Sequence, residues 1–319
     1  MRTLLLLVCL FNSLQPVSAQ WKWTNRDNPF GDLPPALHVY YSETPIEGKP
    51  NKAWYVSVDL NDKSIRFSAL VGNGKRYTPQ EYFEKNREPL LVMNCTFFEF
   101  VNNSNLNVVM NEGKLLSYQT QQTPAKGKDS GMYNHFLGSA IGINARRKAD
   151  VAWLYVDSSM RIPKATQQPI KSWKDSMAQP AANVFLQKAI FRNWRMKTAV
   201  GGGPVLIQNG ALQITNNEER KFAGAAINDK HPRTAMGYTS DGKLILLVVE
   251  GRHPGIAEGA SLNHLAAMLL ELGCVEALNL DGGGSSCLLV NGKNTIQPSD
   301  KEGQRPVPAV FVVERNIPR

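Results

Sequence analysis

Hydrophobic and polar positions alternate over residues 53–60 and 64–71, which predicts two strands. Asn61-Asp62 between them is a hairpin signal. Residues 78–87 carry a helical pattern opened by Thr78, with Pro79 at the first helical position and Pro89 closing it. Residues 90–93 read as a short buried strand leading into Asn94. The middle is less regular. It holds a strand at 151–156, a polar loop at 164–180 and a helical stretch at 182–194. Gly201-Gly202-Gly203-Pro204 imposes irregular backbone, then strand 205–208 meets the Asn209-Gly210 turn, a strong hairpin signal.

The last third is the most regular. Strands 234–238 and 243–250 flank the turn Ser240-Asp241-Gly242. Ser261 caps a helix reaching Leu272, with Leu262, Leu265, Ala266, Leu269 and Leu272 on one face, and Gly273 ends it. Strand 276–280 follows, then Asp281-Gly282-Gly283-Gly284-Ser285-Ser286, strand 287–290, the Asn291-Gly292 turn and strand 307–313. Strand, helix and strand at this spacing predict a crossover unit, and the hairpins predict antiparallel neighbours. The expected fold is α/β (α+β): a single domain with a mixed β-sheet flanked by helices. Residues 20–87 supply an N-terminal arm and the first hairpin, and 88–319 form the catalytic region of the same domain.

Composition narrows the class. The chain has 319 residues, 42% of them apolar and 20% charged, enough for a core and unlike a disordered chain. Residues 1–19 read as a signal peptide: Arg2, an apolar run over 4–11 too short to span a bilayer, then Val17-Ser18-Ala19 before Gln20. The expected location is secreted or periplasmic. No later stretch is long and apolar enough for a transmembrane segment. Beyond the leader stand Cys95, Cys274 and Cys287, which allow at most one pair, Cys274 with Cys287, and show no zinc spacing. The net charge of +9 is spread in short doublets without a basic stripe, which argues against nucleic acid and for an anionic substrate or acidic surface.

Candidate chemistry gathers at strand ends, where open sheets place ligands. Asn94, Glu250 and Asp281 all end strands. The run from Asp281 to Ser286 is either an anion-binding nest of backbone N–H groups or a tight turn. Glu250-Gly251-Arg252-His253 is either a functional charged cluster or a solvated ion pair. Arg233 offers a planar fork suited to phosphate. His264, alone on its helix, reads as structural. No phosphate loop, dinucleotide fingerprint, nucleophile elbow or zinc-protease motif is present. Asp281, Glu250, Asn279 and Asp300 are oxygen donors that suit a divalent cation, so a metal-dependent phosphodiesterase stays open beside a glycan-binding module.

Read in order, the segments resemble the phosphodiester glycosidase family over roughly residues 88–314. They are Asn94 with Phe97-Phe98, Gly201 to Leu206, Pro232 to Gly237, Leu246 to Arg252, Asn279 to Ser285 and Arg305 to Pro308. Cys95 and Thr96 stand where the family usually has two small residues, which puts the sugar pocket in question. The resemblance implies hydrolysis of a sugar-1-phosphodiester at its glycosidic bond, with no cofactor required. The implied substrate is a phosphorylated glycan or a cell-surface sugar-phosphate polymer. Under it, Glu250, Asp281 and Arg233 are the catalytic candidates. Arg233, Arg252 and the backbone of Gly282, Gly283, Gly284 and Ser285 hold phosphate. Asn94, Gly202 and Gly203 bind the sugar or orient a carboxylate.

Overall fold

The computed structural model describes residues 21–178 and 182–316, so the expected leader lies outside the described residues. Strands dominate. They form sheets of eight, seven, five and three strands, and every pairing among the described residues is antiparallel. The eight-stranded sheet runs Thr24–Asn25, Leu37–Ser42, Ala53–Asp59, Lys243–Val249, Arg233–Thr239, Cys274–Asn279, Val205–Gln208, Ala211–Leu212.

Its Lys243–Val249 strand explains the layering. Six consecutive apolar residues leave no polar face, so both faces must be covered. Ile245, Leu247 and Val249 pack in one core with Leu262, Leu265 and Leu269 of the helix Leu262–Glu271. Leu244, Leu246 and Val248 enter a second, larger core. There they meet Met93, Phe311 and Val313 of the five-stranded sheet, and Ile141, Trp153 and Val200 of the seven-stranded one. Helix Leu262–Glu271 starts and stops as its sequence demands. Ser261 Oγ accepts the His264 amide at 3.2 Å, and Gly273 adopts φ +80°.

The expected mixed sheet flanked by helices is therefore not what forms. A helix covers one face of the eight-stranded sheet, but sheets cover the other. A strand buried on both faces reads the same whether a helix or a sheet lies over it. The strand–helix–strand crossover exists, yet Arg233–Thr239 lies between its two strands and pairs antiparallel with both.

The first predicted hairpin also fails. Ala53–Asp59 pairs with Leu37–Ser42 and Lys243–Val249, whereas Ile65–Val71 pairs with Ala309–Arg315. The Asn61-Asp62 turn carries the chain from one sheet to another, and Val56 and Val58 face Ile65, Phe67 and Ala69 across the shared core. Of the helical stretch 182–194 only Ala182–Leu186 is helical. Arg192–Asn193 pairs with Lys164–Thr166, inside the expected polar loop. Cys95, Cys274 and Cys287 are buried and free. Cys274 and Cys287, the one pairing the sequence leaves conceivable, belong to different hydrophobic clusters and are unpaired.

Leu246 is fully buried in the inter-sheet core, while Leu270 is 37% exposed on the outer side of its helix. Leu246→Ala is expected to lower unfolding free energy by about 2–5 kcal/mol, and Leu270→Ala by less than about 1 kcal/mol. Urea denaturation of both variants checks this.

Candidate active site

Strand register sets the site. Arg233 lies opposite Val249, and Ala235 opposite Asn279. The chain thus leaves the Cys274–Asn279 strand with Asp281 level with Arg233. The Asp281 amide donates to Cys95 O at 2.8 Å, and its carbonyl accepts Asn94 Nδ2 at 2.6 Å. Asn94, fully buried, also accepts Thr234 Oγ1 at 2.9 Å and the Cys287 amide at 3.0 Å. Asn94 thus orients the Asp281 backbone from within the fold.

After Asp281 the chain makes a short 3₁₀ turn, Gly283–Ser285. The Gly283 amide donates to Pro232 O at 2.8 Å, Ser285 N to Gly282 O at 3.2 Å and Ser286 N to Gly283 O at 3.1 Å. Three N–H groups of the run are therefore taken by protein carbonyls. Glycine serves a different purpose here. A Cβ on Gly283, which adopts φ +61°, would stand 3.0 Å from Arg252 Nη2. One on Gly284 would stand 2.0 Å from Arg305 Nη2. Two guanidiniums rest on bare backbone.

Asp281 is enclosed by the fold yet keeps part of its surface open. Burial pushes its carboxyl up to about 7, against the Ser285 hydroxyl, the Arg305 charge and the Gly282 amide, which pull it down. Arg305 itself forks onto Asp300 at 2.7 and 3.0 Å. Arg233 is 3% exposed; Nε donates to Ala260 O at 2.9 Å, Nη2 to Asp229 O at 2.8 Å, and its plane lies over Phe222 at 5.6 Å. Burial brings the Arg233 guanidinium down to about 10; Asp229 opposes this shift and nearby Arg252 adds to it. Arg252 is exposed. His231, flanked by both arginines, is held below its usual range, chiefly by burial, and its Nδ1 is buried without a partner.

The two carboxylates named from sequence have separate settings. Glu250 follows Val249 and lies two strands from Asp281, about 10 Å in backbone terms. Its Oε2 accepts the Gln297 amide at 3.0 Å, and Lys52 Nζ approaches Oε1 at 4.0 Å. Gly202 and Gly203 are packing positions. Their amides donate to Ser139 O at 3.0 Å and Asn279 O at 2.8 Å, and their carbonyls accept Asn107 Nδ2 at 3.2 Å and Asn279 Nδ2 at 2.8 Å. Cys95 and Thr96 are each 1% exposed, so neither side chain narrows an open pocket.

Sequence reasoning passed over several neighbours. Glu219, fully buried, accepts from Ser139 N and Oγ, Trp153 Nε1, Val205 N and Thr215 Oγ1. Lys221 lies beside it, with Nζ 5.1 Å from the Phe97 ring centre. No motif marks these two; His231 stands directly before the Pro232-Arg233 pair and was legible there. Asp281, Glu250, Asn279 and Asp300 hold different partners and do not converge as a cation site. Among the described residues no group of three or more His, Cys, Asp or Glu is placed to hold a metal ion. A cavity of about 550 Å³ lined by Arg66, Phe67, Glu112, Arg147 and Lys197 contains none of the site residues; burial, charge and register locate the site instead.

Comparison with known proteins follows the same residues. The phosphodiester glycosidase family matches residues 87–314. The bovine N-acetylglucosamine-1-phosphodiester alpha-N-acetylglucosaminidase is 37% identical over 103 residues, 30% of this chain and 19% of that protein. An uncharacterized prophage-derived protein of Bacillus subtilis is 42% identical over 76 residues, 24% of this chain and 12% of its own length. The chain thus spans about a fifth or less of these relatives. The catalytic domain of the zebrafish N-acetylglucosamine-1-phosphodiester alpha-N-acetylglucosaminidase, auto-inhibited by its pro-peptide, superposes with TM-score 0.59 at 18% identity, covering 92% of this chain and 88% of that one. A putative exported protein of Burkholderia pseudomallei gives TM-score 0.58 at 16% identity, over 86% and 75% of the two chains. These likenesses show a shared fold, and the family match begins just after the helix Pro79–Lys85 and runs into the last strand. The chain belongs to the phosphodiester glycosidase family.

Proposed function

We propose that this protein, once exported, hydrolyses the glycosidic C–O bond of a sugar-1-phosphodiester to free sugar and phosphomonoester. The observation that carries this reading is the Asp281 carboxyl, poised near neutral beside the Arg305 guanidinium, with Arg233 level with it on the neighbouring strand and Arg252 packed over Gly283. Family membership and the bovine relative's name make N-acetylglucosamine the sugar to try first. A phosphorylated glycan or cell-surface polymer is the natural class of substrate. The description of the Burkholderia neighbour as a putative exported protein and the leader expected from residues 1–19 both favour action outside the cytoplasm.

The residues divide the work. Arg252, exposed above Gly283, binds the phosphodiester anion. Arg233, clamped by two carbonyls, adds fixed positive charge behind it. The C1–O bond breaks with its electron pair going to phosphate, and C1 gains oxocarbenium character. The phosphomonoester is a weak base, so this departure needs little protonation. Water adds to C1, and its proton passes to the ionised Asp281 carboxylate, a base matched to neutral pH. Glu250 holds Gln297 and stands outside this transfer.

The test is turnover of N-acetylglucosamine-1-phospho-methyl-mannoside. Asp281→Asn is expected to cost a hundredfold or more in kcat. Turnover close to the parent's removes Asp281 from the chemistry. Glu250→Gln is expected to lose clearly less. A loss as complete as that of Asp281→Asn, at unchanged denaturation midpoint, places Glu250 in the reaction.

The pH dependence carries its own sign. Burial raises the folded-state pKa of Asp281 above the usual carboxylate value, so its ionised, active form appears as pH rises through about 7. The parent's kcat/KM is expected to climb through that range, with the limb missing in Asp281→Asn. A rate falling through it assigns Asp281 as an acid. The same shift means that Asp281 costs stability progressively as pH rises from the ordinary carboxylate value to about 7, with the full penalty present at pH 8, so Asp281→Asn should melt no lower than the parent there.

A further inference from the structure

The Cys274–Asn279 strand that leads to Asp281 has a neighbour on each side. On the Arg233–Thr239 side stand Arg233 and the nearby Arg252. On the Val205–Gln208 side stands Gly203, tied to Asn279 by two hydrogen bonds of 2.8 Å each. Lys221 lies over that glycine: a Cβ on Gly203 would stand 2.5 Å from Lys221 Cε. Such a Cβ would also stand 2.3 Å from Glu219 Oε2, so the bare backbone at Gly203 makes room for both the carboxylate and the lysine stem.

Lys221 is fixed at both ends. Asn216 Nδ2 donates to Phe222 O at 2.8 Å and its Oδ1 accepts the Phe222 amide at 2.9 Å, while Arg220 turns the chain at φ +51°. Nζ rests over Phe97, which is held by its own amide bond to Asn107 Oδ1 at 3.0 Å. The nearest acid is Glu219, whose two oxygens already accept five hydrogen bonds. Among the described residues the Lys221 ammonium has no hydrogen bond or ion pair, so its three donors have no use inside the fold. Burial lowers its pKa and Glu219 pulls it back, as expected for a charge drawn out of water without a bonded partner.

We propose that Lys221 is a sugar-binding residue, donating to an oxygen of the sugar on the side of Asp281 opposite the phosphate. This rests on the hydrolase reading above. The strand leading to Asp281 lies between the Arg233 strand and the strand that follows Gly203, so a scissile bond held at Asp281 lays one moiety toward each. The arginines claim the phosphate. On the other flank the polar groups of Asn94, Gly202 and Gly203 are bonded within the protein, which leaves Lys221 as the donor.

Calorimetry on the full chain separates the flanks, with α-N-acetylglucosamine-1-phosphate and inorganic phosphate as probes. Lys221→Met keeps an unbranched stem over Gly203 and removes the donors. It is expected to weaken the sugar phosphate roughly tenfold or more, the range for a hydrogen bond from a charged donor, and inorganic phosphate less than about twofold. Arg252→Gln is expected to weaken both. Lys221→Arg should restore part of the sugar-phosphate affinity and thereby exclude a folding defect. Equal weakening of both probes by Lys221→Met assigns Lys221 to phosphate and overturns the proposal; so does no weakening of either. A parent that hydrolyses the diester while Lys221→Met binds like it overturns this inference alone. A parent that binds neither probe overturns the hydrolase reading and this one with it.

Discussion

One buried amide holds the Asp281 loop to the fold. Asn94 ends a strand of the five-stranded sheet, and its side chain reaches Thr234 in the eight-stranded sheet, the Asp281 carbonyl and the Cys287 amide. All three partners lie where the two sheets meet, and Thr234 and Cys287 are buried there with little solvent to replace a lost bond. Removing the side chain leaves buried groups unpaired, which is costly in such a place. The position of Asp281 is thereby coupled to the joining of the sheets. The core of leucines, valines and aromatics that fuses the sheets is, in effect, the support of the carboxylate.

The electrostatics follow from that placement. A carboxyl drawn into the protein resists ionisation, and a guanidinium drawn in after it opposes that resistance. Here Arg305 is shared with Asp300, so its pull on Asp281 is incomplete and the group stays near neutral. Arg233 and Arg252 lie close enough to disfavour each other's charge, an arrangement that an anion between them would relieve. Glycine makes the crowding possible. At Gly203, Gly283 and Gly284 a methyl group would collide with a lysine or arginine side chain.

Local signals carried through where local chemistry decides the outcome. The Thr78 and Ser261 caps, the Asn209-Gly210 and Asn291-Gly292 turns and the strand-end position of Asp281 are all legible in a few adjacent residues. What failed depends on distant partners. Six apolar residues before Glu250 state that two faces are buried, but not that one cover is a sheet. The Asn61-Asp62 turn states that the chain reverses, but not that its strands part into different sheets. Glu250 and Asp281 both end strands, and only register shows the strand between them. The amides of the glycine run were countable in sequence, whereas the internal acceptors that take those of Gly283, Ser285 and Ser286 were not. Lys221 and Glu219 belong to no motif; their meeting with Gly203 is a product of tertiary packing.

In the proposed reaction the bond to the sugar's C1 breaks, water attacks C1 and gives its proton to Asp281, and the phosphate leaves intact. Hydrolysis of the N-acetylglucosamine phosphodiester in water enriched in heavy oxygen tests this most directly. Mass spectrometry of both products reads where the oxygen went. The account predicts heavy oxygen in the released sugar and none in the phosphomonoester. Heavy oxygen in the phosphate, with an unlabelled sugar product, would mean attack at phosphorus and would contradict it.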